Sequence, residues 1–240
     1  MAHFLLVAGA FHGAWCWELV VPLLEANGHR AQPVELPGMG ADATPFDETS
    51  FTNWAWTVAD AASACAEKPI VVGHSRGGVV ISQAAELAPE AIRLNAYLAA
   101  LLLGDGKCGL DQPAMDGRDT RAPDFVNSPD GIRIIADDRL LDAAYEFASP
   151  ELRQRAAGLV TPEPVFGLTT PLALTPERYG TVPRAYIECV RDLVVSLELQ
   201  LAMQAREPCE IVRTIDTDHC PTYSAPVLLA DTLDDIARSL

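Results

Sequence analysis

Apolar residues fall in short uninterrupted runs, separated by stretches with helical spacing. Residues 4–7, Phe-Leu-Leu-Val, predict a strand buried on both faces. Residues 17–26 predict a helix ended by Gly28, and residues 32–36 a strand stopped by Pro37-Gly38. Residues 53–66 have helical character, with Thr52 or Asn53 as a candidate N-cap. Residues 70–72 predict a second apolar strand, and residues 78–87 a helix stopped by Pro89. Residues 94–103 form one longer apolar run. This alternation of apolar strand and helix predicts a mostly parallel sheet covered by helices on both faces.

The alternation breaks at residues 104–180, which are rich in prolines, acidic residues and short amphipathic pieces. Residues 140–147 and 151–159 read as helices there, the second led by Ser149-Pro150-Glu151 as a capped start. The alternation then resumes with a strand at 184–189, a helix at 197–205, a strand at 209–215 and a closing helix at 226–240. The expected organisation is a six-stranded α/β core at 1–103 and 181–240, with 104–180 inserted before the last two strands as a cap.

Composition narrows the class of partner. The chain has 240 residues, 33 acidic against 17 basic, and a net charge of -16. Such a surface repels phosphate backbones and anionic lipid, so neither nucleic acid nor a membrane is an expected partner. The six cysteines (Cys16, Cys65, Cys108, Cys189, Cys209 and Cys220) are widely spaced, with no C-x-x-C. They read as reduced, mostly buried thiols of a cytoplasmic protein, and no Cys/His spacing suggests a metal. The apolar N-terminus resembles a signal peptide, but no Lys or Arg precedes Arg30. A buried strand is the expected reading.

The sharpest chemical signal is Gly73-His74-Ser75-Arg76-Gly77-Gly78, placed between a strand and a helix. That is the context of the G-x-S-x-G nucleophile elbow, where a strained turn lifts a serine hydroxyl clear of the sheet. A phosphate-binding loop does not fit, because its lysine and spacing are missing. The order along the chain in such sites is nucleophile, acid, histidine. Of the five histidines, His219 alone follows Ser75, and it lies just beyond the 209–215 run. Asp192 follows the preceding strand and is the expected acid, ahead of Glu188, Asp105 and Asp111. Asp216 and Asp218 are too near His219 in sequence to orient its ring from behind.

The expected oxyanion donors are the backbone amides of Arg76 and of Ala10, in the loop after the first strand. His12, in that loop, reads as structural or pocket-lining. The Arg76 side chain reads either as a carboxylate binder or as a solvated arginine at a helix start. Phe11, Tyr145 and Phe166 are candidate pocket-lining residues. No cofactor or metal is implied.

The opening Phe-Leu-Leu-Val-Ala-Gly-Ala-Phe-His-Gly-Ala-Trp-Cys-Trp resembles the plant methylesterase and hydroxynitrile lyase group of the α/β-hydrolase fold. It is also similar to bacterial carboxylesterases of the pyrethroid-hydrolase kind. Gly73 to Gly78, Tyr186 to Asp192, Thr217-Asp218-His219 and the 149–162 region fit the same group in the same order. The group's usual first-loop His is Ala8 here. Its lyase branch has Thr and Lys where this chain has Gly9 and Cys220. The resemblance therefore implies a serine carboxylesterase acting on a small organic ester. A C–C lyase and a non-catalytic ligand-binding homologue are the alternatives, and a homodimer is a possible assembly.

Overall fold

The computed structural model describes residues 1–111, 126–128 and 131–240, with backbone alone at 126 and 127. Six parallel strands form the main sheet: β1 (His3–Val7), β2 (Arg30–Val34), β3 (Ile70–His74), β4 (Leu94–Leu98), β8 (Arg184–Cys189) and β9 (Ile211–Ile215). Their spatial order is β2-β1-β3-β4-β8-β9, so the chain reverses direction of growth between β2 and β3.

Strand side chains alternate between two cores. Leu5, Val7, Val71, Tyr97 and Tyr186 face one, together with α2 (Phe51–Ser63), α3 (Gly77–Leu87) and α7 (Leu197–Gln204). Phe4, Leu6, Ile70, Val72, Leu94 and Ile187 face the other, beneath α1 (Val21–Ala26) and α9 (Pro226–Arg238). Both faces are covered, which is why β1, β3 and β4 are largely apolar along their length. The edge strands β2 and β9 alternate with exposed residues, and β2 tolerates Pro33 because, among the described residues, one side of it has no neighbouring strand.

Three expectations are corrected. The helix read at 17–26 is a 3-10 turn at Ala14–Trp17 followed by α1, because Pro22 fits only a first turn. The cap of α2 is Ser50, whose Oγ accepts from Asn53 N at 3.2 Å, and not Thr52 or Asn53. The run at 94–103 is a strand only to Leu98. Ala99 turns off the sheet at φ 42°, and Leu101 to Leu103 are buried loop.

Among the described residues between β4 and β8, none adds a strand to the main sheet. The chain there forms a small antiparallel sheet of β5 (Val126–Asn127), β6 (Arg133–Ile135) and β7 (Glu163–Pro164). Helices α4 (Asp138–Ala144), α5 (Pro150–Ala157) and α6 (Phe166–Thr169) accompany it. Ser149 caps α5 through Leu152 N, as its sequence predicts. A short α8 (Pro221–Ser224) precedes α9.

Candidate active site

Strand β3 delivers Ser75 into a turn with φ 52°, a left-handed conformation that non-glycine residues rarely adopt. Hydrogen bonds hold it there: Ser75 N donates to Leu98 O at 3.1 Å, and Ser75 O accepts from Gly78 N and Leu101 N, each at 3.0 Å. The buried loop after β4 thus braces the turn from below. Gly73 allows the tightness, since a Cβ there would sit 2.7 Å from Gly77 O.

His219 stands in the loop after β9 and is buried, at 4% exposure. Its Nδ1 lies 2.6 Å from Asp192 Oδ2. The other oxygen of Asp192 accepts the amides of Val194 and Val195 at 2.7 and 2.8 Å. A carboxylate only accepts, so Nδ1 carries the proton and Nε2 keeps its lone pair. The loop is braced by Asp218, which accepts from Phe147 N, Ser224 Oγ and Cys220 N. This buried carboxylate supports the loop's backbone; the carboxylate on the ring is that of Asp192.

Ser75 and His219 line one cavity, with Ala10, Phe11, His12, His74 and Arg76. The rest of its wall is apolar: Leu101, Val194 and Val195 from the core, and Leu140, Leu141, Ala144 and Leu168 from the segment between β4 and β8. The cavity measures about 70 Å³. His12 donates from Nδ1 to Ala10 O at 2.5 Å, and its Nε2 accepts from the Tyr145 hydroxyl. Burial pushes its pKa down to about 4, so the ring is neutral at neutral pH. His74 is likewise held well below the ordinary histidine range by burial, and its Nε2 donates to His219 O at 2.8 Å.

Of the expected lining residues, Phe11 reaches the cavity. Tyr145 lies one layer back, behind His12 and among Ala148, Cys220 and Tyr223. Phe166 turns to Trp54, ring centroids 4.9 Å apart. The Arg76 side chain is not solvated. It is 1% exposed and pairs with Glu163 of β7, itself fully buried, at 2.8 Å. Sequence reasoning missed Glu163, which lies 87 positions from Arg76. Among the described residues no cluster of His, Cys, Asp or Glu could hold a metal ion.

The model of the alpha/beta hydrolase family matches residues 4–232. The chain belongs to the α/β hydrolase family. This α/β hydrolase is 31% identical to methyl jasmonate esterase 1 of Vitis vinifera over 253 residues, covering 99% of this chain and 97% of that protein. Two solved structures superpose over nearly its full length. A pyrethroid hydrolase from Sphingobium faniae JZ-2 has a TM-score of 0.85 at 27% identity, covering 99% of this chain and 97% of the other. Polyneuridine aldehyde esterase has a TM-score of 0.86 at 27% identity, covering 99% of each chain. These are the plant and bacterial groups that the first-strand and elbow motifs resemble.

Proposed function

We propose that this α/β hydrolase is a serine carboxylesterase that cleaves an ester of a small, uncharged organic acid. The observation that carries the reading is a histidine, proton-locked on Nδ1 by Asp192, on the same cavity as a serine on a strained turn. His219 Nε2 takes the Ser75 proton as the hydroxyl attacks the ester carbonyl. The amides of Ala10 and Arg76 stabilise the oxyanion, and neither has a protein partner among the described residues. His219 then protonates the leaving alcohol, and water attacks the acyl-enzyme to release the acid. The esterase names of the relatives point the same way.

The wall chemistry supports an uncharged acyl group. The Arg76 guanidinium is already neutralised by Glu163, and the cavity's histidines other than the base are held neutral by burial. The cavity is narrow, at about 70 Å³, and mostly apolar-walled, which favours a small acyl group. The segment at 104–180 acts as the cap, contributing Leu140, Leu141, Ala144 and Leu168 to the wall. A lyase reading gains no support, because Cys220 follows His219 and a cysteine supplies no cation there. No helix of the described residues is long and apolar enough to cross a membrane.

Ser75→Ala tests the assignment. On p-nitrophenyl butyrate its kcat is expected to fall by about 10⁴-fold or more. Native-like turnover in that variant would remove the acyl-enzyme from the account.

A further inference from the structure

The Arg76 side chain takes no part in the acyl transfer just described, yet it is 1% exposed. A buried charge is costly unless it is paired and hydrogen-bonded. Its Nε lies 2.8 Å from Glu163 Oε1, and its guanidinium carbon sits 4.5 Å over the Trp54 ring. From that anchored position Nη2 donates to the Gly9 carbonyl oxygen at 2.9 Å.

The Gly9 carbonyl and the Ala10 N–H belong to one peptide unit. That unit is planar and trans, so its N–H points opposite to its oxygen. Gripping the oxygen from one side aims the N–H to the other. The flanking groups are pinned as well. Glu163 Oε2 accepts the Phe11 amide at 3.0 Å, and Ala10 O accepts from His12 Nδ1 at 2.5 Å. Of these four groups the Ala10 N–H alone has no protein partner among the described residues, and Ala10 lines the cavity. A cation on the carbonyl also polarises the amide and strengthens its N–H as a donor.

We infer that Arg76, held by Glu163, is a positioning residue for the oxyanion donor: its side chain fixes and polarises the Gly9–Ala10 peptide while its own amide supplies the second donor. Glu163 acts through Arg76 and Phe11, and so ties β7 to the donor loop. The inference rests on the acyl-transfer reading above.

The test is the double variant Arg76→Met/Glu163→Gln. It removes both charges together, and Gln keeps an acceptor for the Phe11 amide. Replacing a whole buried pair by neutral groups is tolerated far better than breaking it, so a near-native Tm is expected. The kcat on p-nitrophenyl butyrate should fall about 10- to 100-fold, the range of a weakened oxyanion donor, with KM within about threefold. A trifluoromethyl ketone, which forms an oxyanion on Ser75, should lose affinity by the same factor as kcat/KM. Butyrate, the product acid, should bind as before.

A folded double variant with native kcat overturns the inference. If the double variant does not fold, Arg76→Lys decides. Lysine keeps the charge opposite Glu163 but lacks the planar fork that reaches carboxylate and carbonyl together. A several-fold loss of kcat is expected there, and native kcat overturns the inference. Retained activity in Ser75→Ala would instead remove the acyl-transfer reading, so the two failures are distinguishable.

Discussion

Asp192→Asn is the most informative single substitution, because it exchanges one oxygen for an NH2 group and little else. In the native protein Oδ1 accepts two amides, from Val194 and Val195, and Oδ2 accepts from His219 Nδ1. An asparagine has one oxygen. The buried Val195 N–H and the partly buried Val194 N–H require an acceptor, so that oxygen stays on them. The NH2 then faces His219 Nδ1 and donates to it. The imidazole must switch its proton to Nε2, where it can no longer accept the Ser75 proton. A base locked in the wrong tautomer costs about 10⁴ in kcat, or about 5 kcal/mol at 1.36 kcal/mol per decade. Stability should change little, since every buried donor keeps a partner. Asp192→Ala supplies the contrast: it leaves both valine amides without their acceptor, at about 1–3 kcal/mol each, and should lower Tm clearly. Steady-state kcat on p-nitrophenyl butyrate and thermal melts of both variants are the assays. An Asp192→Asn enzyme with kcat within tenfold of native, at native Tm, refutes the tautomer argument.

Two further outcomes follow from the same neighbourhood. Gly9→Ala would place a Cβ 2.9 Å from His74 Nδ1 and 3.0 Å from Ser75 Cβ, so the loop must shift and kcat should fall at least about tenfold; native kcat in a well-folded variant contradicts that geometry. His12 has an ordinary pKa of 6.5, which burial lowers to about 4 in the fold. Between those values the unfolded chain binds the proton and the folded one does not, so stability falls as pH drops through that window. At about 1.36 kcal/mol per unit the loss approaches about 3 kcal/mol. Tm followed from pH 7 to pH 4 should decline more steeply in the native protein than in His12→Gln, and parallel declines would argue that His12 is not the group concerned.

The fold was legible where burial is two-sided. β1, β3 and β4 stand out because they are largely apolar on both faces, and β8 is bounded as its run predicts. The same signal overreached at Leu101 to Leu103, because a buried loop and a buried strand have the same composition. The meeting of Ser75 and His219 on one cavity, and of Asp192 with His219, was legible because the position of each is set by a strand end, and strand ends can be read. Glu163 was not. Its partner Arg76 lies 87 positions away, and an ion pair across that separation leaves no period or spacing to find. Tyr145 and Phe166 were placed by type alone, and aromatic type does not say which layer a ring occupies.

What the segment between β4 and β8 does is best judged from where its polar contacts go. A lid that merely roofed a pocket would meet the core through apolar side chains alone. The segment between β4 and β8 also sends Glu163 to the Phe11 amide and Arg76, beside Ser75. On the opposite side, Ala144 O accepts Cys220 N at 3.0 Å, and Phe147 N donates to Asp218 at 2.7 Å, the two residues flanking His219. The loop after β1 and the loop of His219 are therefore each hydrogen-bonded to the same segment. Hydrogen bonds of this kind set position and orientation, and misplacement by about 1 Å can cost about 100-fold in rate. Substitutions that loosen the segment thus reach kcat through both loops, whereas substitutions at Leu140, Leu141 or Leu168 change the wall that the acyl group meets and reach KM.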